Sequence, residues 1–416
     1  MQSSTRNFLA DFHDMSTFGA TPGGGIDRQA ASRDDIAVRE WFGAKVADYG
    51  GRTVFDEIGN QFGLFELNPG SPWVFVGSHL DSQPLAGRFD GSYGVLAALH
   101  AVADVSERLR ASEVRPEMNL AVANWFNEEG SRFSPSMMGS SVYTGMLDIE
   151  DARAATDAQG TTVAQAQQAA AWSPVVSGDD VPQASAYLEI HVEQGKELET
   201  AGVPLGLVTA TWGARKFQVT VHGEQGHTGS TLMADRQDAL FGAALIITGV
   251  RRMTDEVSPG TLQASVSTMK VLPNSPVTIA REVQMNLDLR SPDPELLSWA
   301  QQRVDGIVAA AREEARVSVD TVLTHQWDRN PYPRDGVDLA RSVAEQIGIS
   351  YREVQTVAGH DSTNMKETVP TVMLFVPSVD GISHNERELT SDGDMLAGLE
   401  MLAAAVERVM FSISRQ

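Results

Sequence analysis

The chain contains no cysteine among its 416 residues. Disulfides, thiolate metal sites and cysteine nucleophiles are therefore excluded, and any metal must be held by histidine and carboxylate side chains. Basic residues are scarce beside acidic ones: 32 Lys and Arg stand against 55 Asp and Glu, a formal charge of −23. Phosphate backbones and anionic lipids need a basic face, so neither nucleic acid nor membrane is an expected partner. The acidity reads as a device for solubility. Long apolar runs are also missing. The longest, around Leu240–Val250, is too short to span a bilayer. Met1–Gly19 is polar and charged throughout and lacks the apolar centre of a signal peptide. A soluble, cytoplasmic protein is expected.

What is present fits a globular α/β protein of two domains, since 416 residues exceed one ordinary core. Asp34–Tyr49 and Gly94–Leu109 have helical apolar spacing. Trp73–Val76, Leu120–Trp125, Tyr187–Ile190 and Thr371–Val376 are near-continuous apolar runs, the pattern of strands buried on both faces. Between the last two, the texture changes. Lys216–Val221 and Val283–Leu289 alternate apolar and polar residues, the period of strands with one wet face, and Ala239–Arg252 and Leu297–Arg312 read as helices. Ala164–Ala171 reads as a short surface helix, and Leu339–Ile347 and Met395–Phe411 as further helices. The expected fold class is α/β: a domain over 1–212 and 328–416 with a mixed, largely parallel sheet flanked by helices. A smaller α+β domain with an antiparallel sheet, 213–327, interrupts it.

Metal-type side chains follow the apolar runs. His79 comes after the first, Glu128 and Glu129 after the second, His191 ends the third, and His384 follows the fourth. Open parallel sheets bind ligands beyond the carboxyl ends of their strands, so these groups are expected to converge. Taken singly, each has an ordinary structural explanation; Asp90, for instance, also suits the cap of a helix beginning near Ser92. Together, in a chain without cysteine, they point to a metal centre. Gly23-Gly24-Gly25 is not a phosphate loop, because no Lys-Ser or Lys-Thr follows it.

The segments Gly77-Ser78-His79-Leu80-Asp81-Ser82-Gln83-Pro84, Gly87-Arg88-Phe89-Asp90-Gly91 and Asn127-Glu128-Glu129-Gly130 resemble motifs of the peptidase M20 superfamily. So do His191-Val192-Glu193-Gln194-Gly195, Gly223-Glu224-Gln225-Gly226-His227, Pro273-Asn274-Ser275-Pro276, Leu287-Asp288-Leu289-Arg290-Ser291, Gly359-His360-Asp361 and Ser383-His384-Asn385. Within the superfamily the series is similar to the hydantoinase/carbamoylase branch, and the likeness runs over nearly the whole chain.

The resemblance implies two divalent metal ions, Zn, Mn, Co or Ni. His79 and His191 would hold one, Glu129 and His384 the other, and Asp90 would bridge them. Asp81 would orient a ligand imidazole, and Glu128 would be the general base that serves a metal-bound hydroxide and then the leaving nitrogen. His227 resembles a histidine that stabilises the oxyanion in the partner subunit's site. Asn274 and Arg290 resemble residues that hold a substrate carboxylate, and Gln194, Gly359 and His360 resemble contacts to a ureido group. The implied reaction is hydrolysis of a C–N bond in a small ureido or amide substrate bearing a carboxylate. An N-carbamoyl-L-amino acid, giving the amino acid, CO2 and NH3, heads the list. Allantoate, β-ureidopropionate, or peptide and N-acyl-amino acid substrates are the alternatives, and a metal-free binding protein is the non-enzymatic one. A homodimer through the inserted domain is also implied, with that domain acting as a lid hinged near Thr211–Gly213 and Asp328–Pro331.

Overall fold

The structure, a computed structural model, describes residues 2–112 and 116–412; Met1 and 413–416, at the outer limits expected for the first domain, lie outside them. The chain divides into two compact units. One comprises Met1–Thr209, Tyr332–Val354 and Gly359–Gln416, and the other Ala210–Pro331 and Gln355–Ala358.

In the first unit, four strands form the centre of the sheet: β1 (Trp73–His79), β2 (Asn119–Trp125), β3 (Ala184–Val192) and β4 (Thr371–Val376). They run parallel in the order β2-β1-β3-β4. Antiparallel strands flank them: Arg52–Phe55 and Gln61–Phe65 beside β2, and Leu205–Thr211 beside β4. The sheet is therefore mixed, with its parallel part where the apolar runs lie.

Both faces are covered, which is why those runs do not alternate. Val74 and Val76 of β1 join one core cluster with residues of helix α1 (Ser92–Ala111), while Phe75 points the other way, to Trp125 and Tyr187. Each such large side chain contributes roughly 1.5–3 kcal/mol by leaving water. The strand runs three residues beyond the apolar stretch, through Gly77-Ser78-His79. Gly77 is required there: a Cβ on it would stand 1.9 Å from the Ala123 carbonyl oxygen. His79 is thus the last residue of β1, and His191 lies within β3.

A buried guanidinium braces the loops after β1. Arg28 donates from Nε to the Leu80 carbonyl (2.8 Å) and from Nη1 to the carbonyls of Met15 (3.1 Å) and Phe18 (3.3 Å). Its Nη2 donates to the Ser92 hydroxyl at the start of α1.

The second unit has a four-stranded antiparallel sheet in the order Ser318–Trp327, Gly213–His222, Glu282–Ser291, Gln263–Leu272. Phe217, Val219 and Val221 are buried while Gln218 is exposed, so the alternation seen in the sequence marks one covered face. Helices Ala239–Met253 and Pro294–Ala315 cover it. Asp238 and Asp293 cap their first turns, and Pro294 supplies a preset φ where no amide donor is needed. Among the described residues, no helix is long and apolar enough to cross a membrane.

Candidate metal centre

Parallel strands present their carboxyl ends at one edge, and two strand ends, with His79 and His191, and three loops, with Asp90, Glu128–Glu129 and His384, supply the centre. His79 Nδ1 lies 2.9 Å from the Asp81 backbone oxygen, and His191 Nδ1 lies 2.9 Å from the Val192 oxygen. A ring nitrogen facing a carbonyl carries a proton, which makes Nε2 the atom each ring can offer to a metal. Both Nε2 atoms face one oxygen of Asp90: Oδ1 is 3.5 Å from His79 and 2.9 Å from His191. The other oxygen, Oδ2, lies 3.3 Å from His384 Nε2, which is 3.4 Å from Glu129 Oε2. Two triads result, His79–Asp90–His191 and Asp90–Glu129–His384, each with its ligand-type atoms within 4.8 Å of one another.

The backbone is shaped around this cluster. Gly91, at φ +63°, donates its amide to His191 Nε2 (2.9 Å), and a Cβ there would stand 2.3 Å from the His79 ring. Asn127, Gln194 and His384 also adopt left-handed backbone, a strain of roughly 1–3 kcal/mol each that concentrates at functional turns.

Glu128 places Oε2 at 3.5 Å from His79 Nε2. Its amide and that of Glu129 both donate to the Asp81 carboxylate (3.2 Å each). The orientation of His79 therefore falls to the Asp81 carbonyl, while the Asp81 carboxylate, 3.8 Å from Nδ1, fixes the Glu128–Glu129 turn. A two-residue spacing lets the main chain arrive first. Gln83 holds Glu129 by its amide (3.2 Å to Oε1) and by Nε2 (2.9 Å to Oε2).

Burial dominates the electrostatics. It pushes the Glu128 carboxyl well above the usual range, with Asp361 and Glu129 adding to the effect and His79 opposing it. Burial and the neighbouring Asp90 push Glu129 up to about 7. Asp90 goes the other way: burial would raise it, but His191, His384 and His79 hold it well below. Burial disfavours the charged form of His79 and His384 too, yet Glu128 and Asp90 raise His79 well above its ordinary value. Asp90 and Glu129 likewise take His384 to about 9. The raised proton affinities of these imidazoles express a cluster that calls for positive charge. Divalent cations would meet the same demand by displacing those protons, and the nitrogen and oxygen donor set fits Zn, Mn, Co or Ni.

The remaining expected residues divide between the units. In the first, Gln194 donates from Nε2 to Asp90 Oδ2 (2.7 Å) and its Oε1 is buried without a partner. The His360 ring lies 4.6 Å from that of His191, and burial with the nearby His191 holds it well below its ordinary value, a neutral ring. Gly359 precedes it, and a Cβ there would stand 3.0 Å from Met137. In the second unit, His227 is exposed and its Nδ1 accepts from the amides of Gly229 (3.0 Å) and Ser230 (3.2 Å). Its proton therefore resides on Nε2. Asn274 is exposed in a left-handed turn. Arg290 leans on Asp288 Oδ2 through Nε (3.1 Å) and Nη2 (2.7 Å), and on the Val357 carbonyl through Nη1 (2.9 Å).

Three groups around the centre escaped the sequence reading: Gln83, Glu388 and Glu189. Glu189 is fully buried in β3, where it accepts from Ser78 Oγ (2.9 Å) and the Ser362 amide (2.8 Å). A carboxylate inside the apolar run Tyr187–Ile190 was the available signal.

Comparison with known proteins gives a consistent result. The sequence profile of peptidase family M20/M25/M40 matches residues 75–408. A Mycolicibacterium smegmatis protein, named only as a hydrolase, is 50% identical over 97% of this chain and 93% of its own length. N-carbamoyl-L-amino-acid amidohydrolase of Rhizobium meliloti is 32% identical (94% of this chain, 93% of the relative). Allantoate amidohydrolase of Escherichia coli is 31% identical (94% of each). Among solved structures, a hydantoinase/carbamoylase family amidase from Burkholderia vietnamiensis superposes with a TM-score of 0.89 at 32% identity, covering 97% of this chain and 96% of that one.

Proposed function

The chain belongs to peptidase family M20/M25/M40 and is an amidohydrolase, and from that premise we propose that it hydrolyses an N-carbamoyl-L-amino acid with two divalent ions. The observation that carries this reading is the division of Asp90, whose two oxygens face two different triads beside Glu128. In this reading His79 and His191 would hold one ion and Glu129 and His384 the other, with Asp90 available to both. The ions, when bound, supply Lewis acidity toward water and the substrate carbonyl.

The rest is done by side chains of this chain. Glu128, tied through its amide but free at its carboxylate, accepts the proton of the attacking water and returns it to the departing nitrogen. Its raised proton affinity suits a group that must hold that proton between the two events. The orphaned Oε1 of Gln194 is an acceptor for a ureido N–H, and neutral His360 and the Gly359 turn complete that pocket. His227, fixed as the Nε2–H tautomer, is a donor suited to an oxyanion. Asn274 and the fork of Arg290 recognise the substrate carboxylate.

A homodimer is part of this reading, with His227 serving the partner's site. Leu232 and Met233, at 68% and 73% exposure, and Phe241 are apolar groups in the same unit that a partner would cover.

The test is a panel of N-carbamoyl-L-amino acids, allantoate, β-ureidopropionate, N-acyl-amino acids and dipeptides, offered to enzyme loaded with Mn, Co, Zn or Ni. Ammonia release from the carbamoyl compounds is expected. Release from allantoate alone would move the assignment to that substrate, and inert ureido compounds beside cleaved peptides would remove it.

A further inference from the structure

The loop that carries His384 also carries Glu388, a carboxylate turned inward and only 4% exposed. Its Oε1 accepts from the backbone amides of Phe89 (3.0 Å) and Asp90 (2.9 Å). Its Oε2 lies 2.9 Å from the Ser383 hydroxyl, which in turn lies 3.1 Å from Asp90 Oδ2. Gln194 Nε2 donates to both Asp90 Oδ2 and Ser383 Oγ. The fit is close: a Cβ on Gly87 would stand 2.3 Å from the Glu388 side chain. Burying a carboxylate among neutral donors is costly, so this placement calls for a reason beyond the fold's stability.

We infer that Glu388 is a positioning residue that aims Asp90 Oδ2 at the Glu129–His384 triad, so that this half of the centre, and not the His79–His191 half, depends on it. The two halves are built differently. His79 and His191 stand on strands, and each ring is locked by a backbone oxygen that Glu388 does not touch. His384 instead sits on a left-handed loop residue with its side chain half exposed, four residues before Glu388. Glu388 joins that loop to the Asp90 loop through the Phe89 and Asp90 amides, and the Ser383 hydroxyl, which gives its one proton to either carboxylate, stands between Glu388 Oε2 and Oδ2, the oxygen that faces His384. Cutting it frees both partners of the second triad while leaving the first triad's rings in place.

The inference rests on the two-ion reading, and metal analysis separates the two. Apo protein is reloaded with Zn or Mn, and bound metal is counted by mass spectrometry and ranked by chelator competition. A wild-type protein that binds fewer than two ions sinks the two-ion reading itself. Given two, Glu388→Ala is expected to keep one ion at wild-type affinity and to bind the other about 10–100-fold more weakly, the usual loss when an outer-shell partner is removed. Glu388→Gln retains an acceptor for the two amides and is expected to restore most of that loss. If Glu388→Ala does not fold, Ser383→Ala, which removes only the hydroxyl, is expected to weaken the second ion alone. Two ions at unchanged affinity in the variants, or equal weakening of both, would overturn the inference.

Discussion

The two units treat their polar residues in opposite ways. In the first, Asp81, Asp90, Glu128, Glu189, His79 and His191 are buried, each held by hydrogen bonds to backbone or to another polar side chain. In the second, His227 and Asn274 are exposed, and Arg290 is steadied by Asp288 of its own strand and by the Val357 carbonyl. Groups that are to hold ions profit from a dry, rigid setting, where charge interactions are strong and the geometry is already set. Groups that are to recognise a substrate must meet it from solvent. Under the proposed assignment the contrast separates the buried cluster that would hold the ions from the exposed groups of the second unit that would meet the substrate, and each variant below pushes on one side of it.

The largest effect is expected at Glu128. Glu128→Gln preserves shape and removes the proton acceptor, so kcat is expected to fall by about 10²–10⁴-fold with both metals retained. Loss of metal together with activity would mean that Glu128 belongs to the ligand shell. His227→Ala, in the other unit, is expected to lower kcat by about 10²–10³-fold. Mixing it with Glu128→Gln tests the dimer: if His227 serves a partner, the mixture recovers up to about a quarter of wild-type activity through hybrid dimers. No recovery on mixing would confine His227 to its own chain. Arg290→Lys keeps the charge and loses the fork, and KM is expected to rise about tenfold with kcat nearly unchanged. A fall in kcat alone would remove Arg290 from substrate binding.

The smallest effect concerns stability in the first unit. Burial pushes the Asp56 carboxyl up to about 7, against the hydrogen bonds from Asn60. In the unfolded chain the group ionises near about 3.9. Between those values the unfolded state has released its proton and the folded state has not, so this group's contribution declines as pH rises through that window. Asp56→Asn cannot titrate. The gap in urea midpoint between wild type and variant is expected to shift against the wild type from pH 5 to pH 7. A constant gap would contradict the assignment.

Much of this was legible in the chain. Thr371–Val376 and Leu120–Trp125 announced themselves because strands covered on both faces admit little but apolar residues. The ligand-type residues after each run followed from strand ends sharing an edge. The flanking strands Arg52–Phe55 and Gln61–Phe65 were not legible, since neither run is long or alternating enough to stand out. Glu388 was hidden for a different reason. It sits in the polar run Asn385-Glu386-Arg387-Glu388, which reads as a solvated turn, and only its meeting with Phe89 and Asp90, some 300 residues earlier, buries it. Asp81 shows the same limit on a smaller scale: its position was readable, but the choice between carbonyl and carboxylate was made in three dimensions.

The Arg28 brace gives the amino-terminal helix a say in the chemistry. One guanidinium grips Met15, the last residue of the helix Gln2–Met15, and Phe18 in the turn after it, and on its other side Leu80 and Ser92, which neighbour His79 and Asp90 in sequence. Arg28→Ala is therefore expected to loosen the loops that place His79 and Asp90, acting from outside the cluster they form.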